Sequence, residues 1–227
     1  MPTESDRLTL ATVQLVIGLH RVEMNAAMSC TDSAQPVSTR IAQRVMRLPK
    51  GQPFSIRRFA ALGTRSAVSK AIARLVSRGE LERVHRGVYM RPKSSRYVAR
   101  VRPNAWEVVS LIARQSRQAL QIHGANAVRR FGLSTQMPLI SIYYTSGSSR
   151  SLFIGKAEVR LVHAAPMVMQ QAGTEVGMAI SALFYLGKDG STPECIAAIK
   201  KVLRPEDLTT LMACKMPKWM RMALELT

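Results

Sequence analysis

The chain has 227 residues with 33 Lys and Arg against 14 Asp and Glu, a formal net charge of +19, and 47% apolar content. That apolar fraction supports real cores in one or two domains and excludes a disordered basic tail. Three widely spaced cysteines, Cys30, Cys195 and Cys214, exclude a disulfide framework and fit a reducing compartment, the cytoplasm.

Residues 1–36 read as an N-terminal extension, flexible or helical, with a weakly amphipathic stretch at residues 8–24 and a Ser-, Thr-, Asn- and Ala-rich end. Met24 and Met28 leave the natural start open. The segment before Leu8 carries Glu4 and Asp6 beside Arg7, the wrong charge for a secretory leader. The apolar stretches at 8–19 and 178–186 fall short of the ~20 residues that cross a bilayer, so no membrane association is expected.

Residues 37–102 have the pattern of a winged helix-turn-helix. A first helix over residues 39–48 points Ile41, Val45 and Leu48 inward and ends at Pro49-Lys50-Gly51. Ser55 caps a short helix with Ile56, Phe59 and Ala60 inward, Arg57 and Arg58 standing between them. Leu62-Gly63-Thr64 makes the tight turn. Thr64 is a suitable N-cap and Gly79 a left-handed stop for a helix over residues 65–78. Val68, Ala71, Ile72, Leu75 and Val76 give that helix one apolar stripe, and Arg65, Ser66, Ser69, Lys70 and Arg74 occupy the other face. Residues 81–84 and 88–90 alternate as strands about His85-Arg86-Gly87, a wing with a basic tip.

A solvated helix face usually mixes charge signs; this segment does not. Residues 37–102 hold 17 Lys and Arg against Glu80 and Glu82 alone, so the rest of the chain holds 16 of the 33 basic and 12 of the 14 acidic residues. Double-stranded DNA is the matching counter-charge. The candidate DNA contacts are Arg65, Ser66, Ser69 and Lys70 in the major groove, with Arg74, Arg83, His85, Arg86, Arg57 and Arg58 on backbone or minor groove.

Residues 93–103 read as a linker, so a fragment of residues 37–102 is expected to fold alone. Residues 103–227 read as a separate α/β domain. Asn104 caps a helix through Arg117 with Trp106, Val109, Ile112 and Ala113 inward, and a short helix covers residues 124–131. Strands at 139–145, 152–154 and 157–163 form a small antiparallel sheet in which Ser146 to Arg150 make a hairpin connection. Helices follow at 175–186, 193–203, 205–214 and 217–226, started by Pro, Thr or an acid. The fold class is therefore α+β. Met212, Met216, Met220 and Met222 surround Trp219; Trp219, Met216 and Met220 are candidate partner contacts, or else a Met-rich core edge.

Catalytic chemistry finds no foothold. The four histidines never stand at metal-ligand spacing with Cys195 or Cys214, so neither metal nor cofactor is expected. SGSSR at 146–150 lacks the Lys and following helix of a phosphate loop, although its amides and Arg150 could grip an anion. Paired carboxylates and an activated nucleophile are also absent from the pattern, so the chain is read as a non-enzyme.

The arrangement PxGxxFSxxxFxxLGxRxAVxxAxxRLVxRGxLxRVxRGVYxxP, from Pro49 to Pro92, resembles the winged helix of AbiEi-type antitoxins. HGANAVRRFGLSTQMPLISIYYTSGSSRSLFIGKAEVRLVHAAP, from His123 to Pro166, is similar to the start of that family's second domain. The resemblance implies an antitoxin that represses its own promoter at inverted repeats and a second domain that counters a nucleotidyltransferase-like toxin, in phage defence or the upkeep of mobile elements; a homodimer on the inverted repeats is the expected partner arrangement. The alternative is a transcriptional regulator of a mobile element, without a toxin, whose second domain dimerises or senses a ligand.

Overall fold

The computed structural model describes residues 35–94, 101 and 103–226. The amphipathic stretch at 8–24, Cys30 and the linker cations Arg96, Arg100 and Arg102 lie outside the described residues. The fold is mixed α+β, in two compact units. One contains the described residues up to Lys50 together with Ile56–Glu82, and the other contains Gly51–Ser55 and the chain from Arg83 onward.

In the first unit, helix α1 (Val37–Met46), a 3-10 helix (Ile56–Leu62) and helix α2 (Arg65–Ser77) pack on one another. Their core consists of Ile41, Val45, Phe59, Leu62, Val68, Ala71, Ile72 and Leu75, all buried. The middle segment is 3-10 rather than α, and three residues per turn align Ile56, Phe59 and Leu62. Leu62 therefore belongs to the core instead of the turn, and Ala60, expected inward, is exposed. The turn itself needs Gly63, because a Cβ there would sit 2.9 Å from Val37 Cγ2.

Both ends of α2 follow from local chemistry. Thr64 Oγ1 accepts from the Ala67 amide at 3.3 Å. At the other end Gly79 takes φ +74°, Glu80 N–H donates to Leu75 O and Gly79 N–H to Val76 O, each at 3.0 Å. This is a Schellman closure, and it satisfies carbonyls that the helix leaves unpaired.

The second unit opens with strands β1 (Pro53–Ser55), β2 (Glu82–His85), whose first residue still belongs to the first unit, and β3 (Val88–Met90). They form a sheet in the order β1-β3-β2, with Phe54 opposite Tyr89 in the antiparallel β1–β3 pair. Next come α3 (Ala105–Gln115), β4 (Leu120–Ile122), α4 (Gly124–Arg130), β5 (Ser141–Thr145), β6 (Arg150–Ile154) and β7 (Ala157–His163). Four helices close the chain: α5 (Glu175–Gly190), α6 (Pro193–Val202), α7 (Pro205–Ala213) and α8 (Lys218–Leu226). As expected, Asn104 caps α3, its Oδ1 accepting from Trp106 N–H at 3.0 Å.

The second sheet corrects two expectations. Its order is β4-β5-β7-β6, with β5 parallel to β7 and the other two pairs antiparallel, so it is mixed rather than antiparallel. Residues 146–149 consequently do not close a hairpin; they carry the chain past β7 to the sheet edge, and the hairpin is the β6–β7 turn at Gly155 and Lys156. The crossing segment is tied down locally. Ser146 Oγ accepts from Ala119 N–H at 2.9 Å, Ser149 Oγ from His163 N–H at 2.8 Å, and Arg150 donates to Gln118 Oε1 at 2.9 Å. Arg150 is thus committed to the fold rather than offered to an anion.

Packing within the second unit also moves the expected boundary. Val84, Val88 and Met90 share a single core with Val108, Val109 and Ala113 of α3 and with Leu152, Ile154, Val159 and Leu161 of β6 and β7. A cut at residues 93–103 would divide that core. A second core joins α4 to α8 through Phe131, Ile180, Leu183, Ile196, Leu211 and Met220. There α4 reaches α5 so closely that a Cβ on Gly124 would run into Tyr185 Cβ and stand 2.7 Å from Ser181 O.

Candidate nucleic-acid interface

Helix α2 turns its apolar stripe inward because Val68, Ala71, Ile72 and Leu75 recur at helical spacing, and this forces the intervening residues outward. Arg65, Ser66, Ser69, Lys70 and Arg74 are all exposed. Ser66, Ser69, Lys70 and Ala73 make one longitudinal row with cations at its two sides, and no acid occurs in the helix. The 3-10 helix packs against α2 and leaves Arg57 and Arg58 exposed. Within this unit Arg78 makes an ion pair with Glu80 at 4.0 Å, both partners substantially exposed, which uses one of the segment's two acids on a cation outside the candidate set. The remaining row of donors and hydroxyls has the chemistry that base edges and phosphates accept.

The other part of the predicted set lies on the β2–β3 hairpin of the second unit. Alternation buries Val84 and exposes Arg83, and the turn exposes Arg86 while Gly87 takes φ +75°. His85 is half-buried, and its Nδ1 donates to Phe153 O at 3.1 Å, since a carbonyl can only accept. One of its two nitrogens is thereby used inside the protein. Nε2 remains for a ligand.

That bond exposes residues the sequence pattern did not single out. Gly155 N–H meets Val84 O at 3.4 Å, so the β6–β7 turn lies beside β2 and adds the exposed Lys156 and the 61%-exposed Phe153 to the hairpin's basic surface. No local signal marks them, because the partners of the His85–Phe153 bond are 68 residues apart in sequence.

The methionine and tryptophan cluster has a different fate. Met220 is fully buried in the helical core, and Met216 and Trp219 pack against that core half-buried. Met220 therefore has no surface to offer a partner; α8 places it on its inner face, while Met222 projects outward. Among the described residues no group of three His, Cys, Asp or Glu side chains could hold a metal ion, and no helix is long and apolar enough to cross a membrane.

Residues 40–211 match a family described as "Family of unknown function (DUF6088)". No curated protein and no solved structure matches the chain.

Proposed function

The chain belongs to this family of unknown function, and we propose that it is a DNA-binding autorepressor serving as the antitoxin of an AbiE-like pair. The observation that carries the reading is the acid-free, exposed face of α2, with Arg65, Ser66, Ser69, Lys70 and Arg74 opposite a buried apolar stripe. In this reading α1, the 3-10 helix and α2 are the helices of a winged helix-turn-helix, and the three-stranded sheet supplies its wing. Arg65, Ser66, Ser69 and Lys70 read bases from the N-terminal part of α2. Arg74, Arg57, Arg58, Arg83, Arg86 and His85 Nε2 hold backbone or minor groove. None of this requires catalysis, and the proposed setting is the cytoplasm.

The antitoxin part rests on the resemblance of residues 49–92 and 123–166 to AbiEi-type antitoxins. It assigns neutralisation of a nucleotidyltransferase-like toxin to the second unit and operator binding as a homodimer on inverted repeats. Co-expression of the full chain with the product of the neighbouring gene tests it: growth rescue is expected, and an untouched growth defect contradicts it. A second reading, a ligand-responsive regulator of a mobile element without a toxin, is favoured by a cavity of about 300 Å³ in the second unit.

A further inference from the structure

That cavity is lined by α3, β4, α4 and the approach to β5. Trp106 and Tyr143 give it an aromatic wall, their ring centroids 5.4 Å apart and tilted by 55°. Asn126, Arg129 and Arg130 of α4 line the polar side, and no Asp or Glu lines it. Neither arginine is ion-paired with a carboxylate among the described residues. Two cations in the last turn of a helix are favourable for the helix alone. That does not account for their meeting the Asn126 amide and two aromatic rings in one concavity.

A smaller adjoining cavity of about 120 Å³ shares Trp106, Ile122 and Arg130. Its lining includes Gln121, only 1% exposed, whose Oε1 accepts from Ile122 N–H and Gly173 N–H while its Nε2 has no protein partner. A buried amide left with unused donors is unusual in a folded protein and marks a place where an acceptor belongs. The acid at this second cavity is Glu175. Its carboxylate disfavours an anion there, so the acceptor that belongs at Gln121 is a neutral one, and a negative group is better placed at the arginines of the larger cavity.

From this juxtaposition we infer that the cavity binds a small planar ligand bearing a phosphate or carboxylate, its ring against Trp106 and Tyr143 and its anion on Arg129 and Arg130. The volume lies at the lower end of small-molecule sites, which suits a ligand of about mononucleotide size. Guanidinium groups match both anions in a planar, two-point fashion. Burial pushes the Tyr143 hydroxyl up from its ordinary value, so it stays a neutral donor. The site is independent of the DNA-binding reading and survives if that reading fails.

The test is calorimetric titration of the full chain, without DNA, using the four ribonucleoside monophosphates, their nucleosides, inorganic phosphate and indole-3-carboxylate. At least one ring-bearing anion should saturate one site per chain with Kd below about 1 mM, a binding free energy of about −4 kcal/mol. The uncharged nucleoside and inorganic phosphate alone should bind at least about tenfold more weakly. Replacing both Arg129 and Arg130 with Ala should raise Kd at least about tenfold, and both residues are exposed, so melting should fall only by the small contribution that two cations make at the end of α4. Asn126→Asp, which places a carboxylate in the lining, should weaken binding comparably by a different route. Lys218→Ala, outside both cavities, should not. If no ring-bearing anion saturates, or if binding survives both the double arginine variant and Asn126→Asp, the site is not there.

Discussion

If the chain binds DNA as proposed, the salt dependence of that binding follows from counting cations. Arg58, Arg65, Lys70, Arg74, Arg83 and Arg86 are exposed, and none is ion-paired with a carboxylate among the described residues. If each neutralises one phosphate, log Kd should rise with log salt at a slope of about 5.4, because roughly 0.9 counterion is released per contact. Between about 50 and 200 mM salt that amounts to roughly a 2,000-fold loss of affinity. Arg74→Ala should lower the slope to about 4.5, as should Arg83→Ala, and both should weaken all sequences alike. Arg78→Ala is the comparison, because Arg78 already has Glu80 at 4.0 Å and lies outside the proposed contacts. Fluorescence anisotropy on a labelled duplex at five or six salt concentrations gives all four slopes. A slope under about 2 for the unmodified chain, or one indifferent to Arg74→Ala, would refute the counter-ion argument.

Three further outcomes test the fold. Gly124→Ala should destabilise by about 1–3 kcal/mol in urea unfolding, since the new Cβ meets Tyr185 Cβ and the Ser181 carbonyl; a change under about 0.5 kcal/mol would mean α4 and α5 separate freely. His123 Nδ1 accepts from Ala125 N–H at 3.3 Å, and burial holds its pKa below the ordinary 6.5. The unfolded chain therefore binds more protons between the two pKa values, so this contribution to stability is complete above about pH 6.5 and is lost as pH falls toward the folded value. Melting at pH 7.5 and 5.0 should drop less in His123→Asn, which caps without titrating, and an equal drop contradicts the assignment. A fragment of residues 37–102 should fail to melt cooperatively, because Val84, Val88 and Met90 lose their α3 and β6–β7 partners at roughly 1.5–3 kcal/mol each. A sharp melt would restore the linker boundary.

What could be read from sequence was what local chemistry decides. Thr64, Gly79 and Asn104 end helices through bonds within a few residues, and each does so as expected. The stripe of α2 is legible for the same reason: Val68, Ile72 and Leu75 recur at one period within a single element. Strands β1 and β4 escaped because each has three residues and no hairpin turn beside it; the equally short β3 is marked by the turn at Gly87 that pairs it with β2. Pro53 looks like a breaker, yet as the first residue of an edge strand it costs no ladder bond. The parallel β5–β7 pairing has no local signature at all; it pairs Tyr143 with Leu161 across an intervening strand in sequence.

The candidate site divides along the same line. Which α2 residues face outward follows from the helix period, whereas the fixing of His85 by Phe153 and the arrival of Lys156 beside the hairpin depend on contacts from a distant strand pair. Met220 shows the converse. A methionine at helical spacing beside Trp219 looks the same in sequence whether it faces solvent or core, and the packing of α8 on the helical cluster places it inside.

Competition binding of the full chain on the DNA upstream of its own gene tests the central claim most directly. The unmodified protein should prefer that duplex to a scrambled one, and Arg65→Ala or Ser69→Ala should remove about 1–3 kcal/mol of the preference per lost base contact; Ser69→Ala should leave scrambled-sequence binding nearly intact, while Arg65→Ala should weaken it by the one phosphate that its charge neutralises. If both variants keep the full preference, or if the unmodified chain shows none, α2 is not the element that reads DNA.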